Sequence, residues 1–362
     1  MTDEEGIRSP LHDAQLAAGA EIIWEDGWPW AMKVGDDAVA EYEAIRTTTG
    51  IWDLFSTCKY EVTGSDAVRL VQRRFTNDLS AVDAGAVRYG AFVNADGSMI
   101  DDGNVYKHSD TKLWVFINTA DMEEWFRETA DGLDATIRHR TADWPMISVQ
   151  GPTSRDLLQG LTDAPLGDLR YFRFWPEPVK VGGVTATVLR TGFSGELGFE
   201  LVTEADSVLT LWEALTEAGG KPFGLEAVDI ARVEAGMIII ALDYMPGEGS
   251  PYDVSLDRFI KPGTECVAAE ALAEIATAPP KRLKTLKMEG DTVPEVGLAV
   301  TRASEEVGTL TSPVSSPRFG TIGLAVLASE AAVDGSQVQV GGVPATVAPL
   351  SVYDPAKQRP RS

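Results

Sequence analysis

Arg190-Thr191-Gly192-Phe193-Ser194-Gly195-Glu196-Leu197-Gly198-Phe199-Glu200 is a glycine-punctuated turn set between two extended runs. Before it, Val184, Ala186 and Val188 alternate with Thr185, Thr187 and Leu189, the period of a strand; after it, Phe199 to Val202 is extended again. Glycines after a strand invite a dinucleotide-binding reading, but a pyrophosphate needs a helix N-terminus next, and here a second strand follows. A Rossmann site is therefore excluded. Within the second strand Glu200 stands between Phe199 and Leu201, and an acid in an apolar run has either a partner or a task. Arg232, on the helix-forming stretch from Glu226 to Ala235, could be that partner, an anion-binding residue or a surface charge.

Working outward, Ile147-Ser148-Val149 reads as a short strand ended by Gln150-Gly151-Pro152, and Val208, Leu211, Trp212 and Leu215 draw a helical stripe stopped at Gly219-Gly220. Met237-Ile238-Ile239-Ile240 is an apolar run with the look of a buried strand. Upstream, residues 58–145 read as a compact unit of antiparallel hairpins and helices. It has strands at Tyr89 to Val93 and Asn104 to His108 around the turn Asn94-Ala95-Asp96-Gly97, and a further strand from Leu113 to Asn118. Beyond Ala278-Pro279-Pro280 the chain shifts to Val, Thr and Gly with frequent turns, which predicts an all-β terminal unit. The first thirty residues carry Trp24, Trp28 and Trp30, a density that packing or a cation-binding aromatic cage would explain.

Composition narrows the function classes. The 362 residues exceed one ordinary hydrophobic core and are 44% hydrophobic, enough for two or three domains. Lys plus Arg number 31 against 55 Asp plus Glu, a formal charge of −24 that repels polyanions, so nucleic acid is not an expected partner. Cys58 and Cys266, with His12, His108 and His139, are too scattered for a structural zinc site, and no metal is expected. No apolar run approaches the roughly 18 residues of a membrane span, and the acidic start, Met-Thr-Asp-Glu-Glu-Gly, lacks export character, so the expected compartment is the cytoplasm. Neither a Walker A loop nor a Gly-x-Ser-x-Gly elbow is present. Asp101-Asp102 in Ile100-Asp101-Asp102-Gly103 is the most interesting acid pair. Adjacent strand residues point to opposite faces, so at most one can face a shared cleft while the other meets solvent or caps backbone amides.

Taken in order, these pieces resemble the glycine-cleavage T-protein family, the tetrahydrofolate-dependent aminomethyltransferases and their demethylase relatives. The likeness is carried by Ser9-Pro10-Leu11 with Gly27-Trp28, Gly50-Ile51-Trp52-Asp53, Arg88-Tyr89, Asn94, Ile100-Asp101-Asp102 and Val149-Gln150-Gly151-Pro152. It continues through Arg190 to Glu200, Arg232-Val233-Glu234-Ala235-Gly236, Gly308 to Ser312 and Ser316-Pro317, so that nearly the whole chain is covered. The resemblance implies an α+β, three-lobed fold. Residues 1–57 and 146–255 would form a discontinuous central folate-binding lobe, 58–145 an inserted ferredoxin-like lobe, and 256–362 a C-terminal β-rich, barrel-like lobe. It implies tetrahydrofolate as cofactor, with Asp101 as the catalytic acid and Glu200 on the pterin. Tyr89, Phe116, Asn118, Phe193 and Arg232 would make further folate contacts, and Trp28, Trp30 and Ser56 would face the substrate. Arg170, Arg173, Arg190 and Arg232 are candidates to meet the anionic glutamyl tail.

The departures from the pattern bear on the donor. T-proteins carry Gly-Tyr-Thr-Gly where this chain has Gly192-Phe193-Ser194-Gly195, Ala-Arg-Asp where it has Ala227-Val228-Asp229, Asp-Val-Ser-His-Met where it has Asp53-Leu54-Phe55-Ser56-Thr57, and Tyr-Gly-Gln where it has Ile240-Ala241-Leu242. The resemblance therefore implies a demethylase moving a methyl group from a small sulfonium, amine or ether to tetrahydrofolate. Glycine cleavage, with a lipoyl carrier protein as partner, is the alternative. A related non-catalytic folate-binding protein, which assists iron–sulfur assembly, carries Lys-Gly-Cys-Tyr-x-Gly-Gln-Glu; Glu234 to Ile239 here has neither that cysteine nor that glutamine. A detached folate domain of a flavin amine dehydrogenase would need a separate oxidising subunit, because no dinucleotide fingerprint is present.

Overall fold

The computed structural model describes residues 6–25 and 27–362. At its centre, a six-stranded sheet runs in the order Val179–Val181, Val184–Leu189, Gly198–Val202, Met146–Gln150, Gly50–Asp53, Lys221–Pro222. Gly50–Asp53 and Met146–Gln150 pair antiparallel, and the chain between them forms its own sheet. That inserted sheet has five strands in the order Ala86–Val93, Met99–Ser109, Lys112–Ile117, Cys58–Thr63, Thr136–His139, all antiparallel, with helices Ala67–Gln72 and Glu123–Arg127. This is a ferredoxin-like arrangement extended by an edge strand. Beyond residue 280 six strands between Lys281 and Ala348 close into a barrel, so that no sheet edge is left unpaired. The fold is α+β with a closing β-barrel, as the sequence predicts.

The opening glycine turn owes its composition to one side chain. A Cβ on Gly192 or Gly198 would fall 2.2–2.3 Å from the Gln150 amide, so a larger residue at either position would push that side chain out of its place. Gln150 in turn accepts a hydrogen bond from Ser194 Oγ at 2.8 Å, which ties the Val149 to Pro152 segment to the turn. Below this joint, the predicted stripe Val208, Leu211, Trp212 and Leu215 is buried against Ile51, Val149, Phe199 and Leu201. At about 25 cal/mol per Å², such aliphatic and aromatic burial is the main force holding helix to sheet.

Met237 to Ile240 is not a strand. It is irregular backbone leaving the helix Leu225–Ala235, ended by Gly236 at φ 65, and only Ile240 makes an isolated bridge, to Tyr244. The apolar run fills a gap between units instead: Ile238 belongs to a core shared with Tyr244, Tyr252, Val254 and barrel residues Leu283, Ile322 and Leu324.

Candidate functional site

Glu200 lies mid-strand in Gly198–Val202, paired with Leu189 on one side and Ser148 on the other. Its carboxylate accepts from Thr191 Oγ1 at 2.5 Å and, across to the inserted sheet, from the Tyr106 hydroxyl at 3.5 Å. It is 6% exposed, and burial raises its pKa against the lowering effect of those two hydroxyls. The Tyr106 ring packs 4.7 Å from Phe116 and 5.6 Å from Phe174, so the acid meets an aromatic wall. No Asp- or Glu-type ion pair of Glu200 with a cation occurs among the described residues; in particular Arg232 is not its partner.

On the inserted sheet, strand alternation puts Asp102, Asn104 and Tyr106 on one face, joined by Tyr89 and Phe116, each of which sits opposite Asn104. Asp102 is therefore the acid on the face that Tyr106 presents to Glu200. Its carboxylate accepts from the Tyr89 hydroxyl at 2.7 Å and the Tyr244 hydroxyl at 2.5 Å. Burial first, and the charge of Asp101 second, push its pKa up to about 7. Asp101 points to the other face and is fully buried. Its oxygens take up the amides of Asp102 (2.7 Å) and Thr119 (2.8 Å), and both the main chain and the side chain of Asn118 (3.1 and 2.7 Å). Asp101 thus fastens the neighbouring strand, and Asn118 acts through it.

The remaining candidates scatter. Arg232 is fully buried, its guanidinium donating to Asp229 (2.7 Å), Asp243 (2.6 Å), the Met237 carbonyl (3.1 Å) and Ser312 Oγ (2.7 Å). It is not a surface charge; its four partners tie a helix to the barrel. Ser56 donates to the Pro29 carbonyl at 2.5 Å. Phe193 is partly buried beside the Tyr106 and Phe116 cluster. The three tryptophans form no single cage. In the hairpin Ala20–Glu25/Trp28–Val34, Trp24 pairs with Pro29 while Trp28 and Trp30 pair with Glu25 and Ile23, so Trp24 points to the opposite face, against His12 at 6.2 Å. Trp28 packs on Phe55 (5.8 Å) and His139 (6.0 Å), Trp30 on Trp52 (6.1 Å); Asp26 lies outside the described residues.

Sequence reasoning missed Tyr106, Tyr244 and Lys59. Tyr106 was within reach, being four residues beyond Asp102 on one strand face. Lys59 is wholly buried beneath the loop 54–57, its ammonium donating to the carbonyls of Leu54 (3.0 Å), Phe55 (3.1 Å) and Thr57 (2.7 Å), and burial lowers its pKa to about 7. Nothing local marks Tyr244, which reaches Asp102 from irregular chain.

These lobes and their carboxylates define a class before a family. The crystal structure of the glycine cleavage system aminomethyltransferase T from Bartonella henselae superposes with a TM-score of 0.88 over 95% of this chain and 97% of that one, at 20% identity, so the three-lobed fold is shared. The sequence carries the assignment further. Residues 11–264 match the GCVT N-terminal domain and 281–354 the glycine cleavage T-protein C-terminal barrel domain. A probable aminomethyltransferase of Halobacterium salinarum is 36% identical over 92% of this chain and 94% of its own length. An aminomethyltransferase of Streptomyces coelicolor is 33% identical over 88% of each chain, and one of Geobacillus thermodenitrificans 31% over 97% and 99%. The chain belongs to the glycine-cleavage T-protein family and is a tetrahydrofolate-dependent transferase. The donor set fits that cofactor: Glu200 is a buried carboxylate met only by hydroxyls, able to accept the adjacent N–H and amino donors of a pterin as a bidentate pair. No helix among the described residues is long and apolar enough to cross a membrane.

Proposed function

We propose that the chain is a cytoplasmic demethylase that transfers a methyl group from a small methylated donor to tetrahydrofolate. Glu200 would hold the pterin and Asp102, rather than Asp101, would stand at the reacting nitrogen. The observation that carries the residue assignment is the split of the acid pair: Asp101 takes four amide donors, the Tyr244 hydroxyl reaching it only at 3.5 Å, whereas Asp102 accepts solely from the hydroxyls of Tyr89 and, at 2.5 Å, Tyr244, on the face that Tyr106 turns toward Glu200. Bound folate supplies a nucleophilic secondary amine. Asp102 would accept the N–H of that amine, orient it, and take the proton released as the new N–C bond forms and the donor's C–X bond breaks, the bonding pair leaving on X. Tyr89 and Tyr244 fix the carboxylate, and Phe116 and Phe193 offer apolar faces to the ring system.

The donor reading is supported by the loop where the family's pattern is altered. Phe55 packs on Trp28, Ser56 is spent on a backbone carbonyl, and Val228 is buried in the same cluster as Trp30 and Phe193, leaving an apolar wall suited to a small methylated molecule. The second reading, glycine cleavage with a lipoyl carrier protein, is supported by the names that the relatives bear. One assay separates them. The protein is incubated with tetrahydrofolate and either methylated sulfoniums, amines and aryl ethers or an aminomethylated lipoyl carrier, and the folate product is read by mass spectrometry. 5-Methyltetrahydrofolate from the first set supports the demethylase; 5,10-methylenetetrahydrofolate from the second, with none from the first, overturns it.

A further inference from the structure

Arg190 immediately precedes Thr191, the hydroxyl partner of Glu200, yet its side chain leaves the opposite face of the strand and lies over the ring of Phe199, 4.9 Å from its centroid. There it enters a cavity of about 410 Å³ lined by Arg155, Arg170, Arg190 and Arg361 together with Tyr171 and Ser362, and no Asp or Glu is among the lining residues. In a chain of formal charge −24, four guanidinium groups gathered with no Asp or Glu side chain among them repel one another, and only the fold and the main-chain oxygen of Ser362 hold them together. Arg190 is only 1% exposed; it donates to the Gly198 carbonyl at 3.0 Å, while its Nε and that of Arg155 are buried with no hydrogen-bond partner. A buried donor left unmet is unfavourable and favours an acceptor that can reach it. One oxygen already marks where an acceptor sits: the main-chain oxygen of Ser362 takes hydrogen bonds from Arg155 at 2.5 Å and Arg190 at 2.8 Å.

We propose that this arginine pocket binds a ligand bearing two or more anionic oxygens, which takes the place of the Ser362 oxygen between Arg155 and Arg190. Planar guanidinium forks suit phosphate and carboxylate alike. The shared chemistry is therefore a multiply charged oxyanion, either a phosphate group on a small molecule or the carboxylates of a folate glutamyl tail reaching round Tyr171. Only the tail source rests on the folate reading. Because Arg190 and Thr191 are consecutive, occupancy of the pocket is linked to the strand end that positions Glu200.

The test is calorimetric titration with inorganic phosphate and, separately, γ-linked triglutamate, at constant ionic strength. It uses the wild type, Arg155→Ala/Arg361→Ala and the exposed single variant Arg170→Glu, with thermal melts confirming that each is folded. Saturable binding of at least one probe, weakened tenfold or more in the variants, is the expected result. Repeating the titration with saturating monoglutamyl tetrahydrofolate distinguishes the sources: undiminished phosphate binding supports a free phosphate-bearing ligand, and competition supports the folate tail. If neither probe binds saturably, or the variants bind as the wild type does, the proposal falls, and folate binding measured in the same samples remains a separate matter.

Discussion

Asp102 carries the highest electrostatic stakes of any single residue at the site. Its pKa of about 7, held there by burial and by Asp101, means that it ionises in the fold only near neutrality. A base or orienting carboxylate must be ionised, so log kcat/KM should rise with pH to a plateau and bend near 7, an apparent value belonging to the acid pair. Asp102→Asn keeps the shape and removes the charge, and turnover should fall 10²- to 10⁴-fold with folate affinity little changed. Asp101→Asn should instead loosen the chain at Asn118 and Thr119, just past the strand Lys112–Ile117, so that its defect appears in thermal melts first. Single-turnover assays of the two variants check the order; equal turnover of Asp102→Asn and wild type would remove Asp102 from the mechanism. Stability gives an independent reading. A carboxyl with a raised folded pKa is protonated more readily in the native than in the unfolded state, so the stability it contributes is lost as pH rises from about 4 to about 7. Asp102→Asn should therefore be relatively more stable than wild type at pH 8 than at pH 4, by at most about 4 kcal/mol at 1.4 kcal/mol per pKa unit. A pH-independent difference between their urea midpoints would contradict this.

At the scale of elements, the hairpin Ala86–Val93/Met99–Ser109 shows how far the sequence can be followed. Alternation establishes that Asp101 and Asp102 oppose each other, but not which one faces the cleft. The register shifts between Phe92 and Val93, Phe92 standing opposite Asp101 and Val93 opposite Met99, so Ile100 is an extra residue. A bulge of one residue reverses the facing of everything beyond it, and no local composition announces it. Met237 to Ile240 misleads for a related reason, since a short apolar run is equally satisfied by a strand or by irregular chain wedged between lobes. By contrast, the helix Val208–Glu217 and the turn between Arg190 and Glu200 were legible because periodicity and strand context are local signals.

For the molecule as a whole, several of the motifs that betray the family are joints. Ser9 Oγ donates to Asp53 at 2.6 Å, linking the Ser9-Pro10-Leu11 and Gly50-Ile51-Trp52-Asp53 motifs. Glu234 collects Tyr42 (2.7 Å), Arg46 (2.7 Å) and Ser316 of the barrel (2.6 Å), and Arg232 collects Asp243 and Ser312. Such buried ionic knots contribute little net stability over an apolar core, but breaking one partner strands the other. Arg232→Met should thus cost about 3 kcal/mol in urea unfolding, because Asp243 is left buried and uncompensated; a loss below about 1 kcal/mol would return Arg232 to the list of ligand-binding residues. These joints set the lobes around Glu200, on which the account turns. The most direct measurement is calorimetric titration of tetrahydrofolate into the wild type and Glu200→Gln. The substitution turns one acceptor into a donor facing the pterin's own donors, and binding should weaken by about 2 kcal/mol, roughly 30-fold. Equal affinity of the two proteins for tetrahydrofolate would contradict the account.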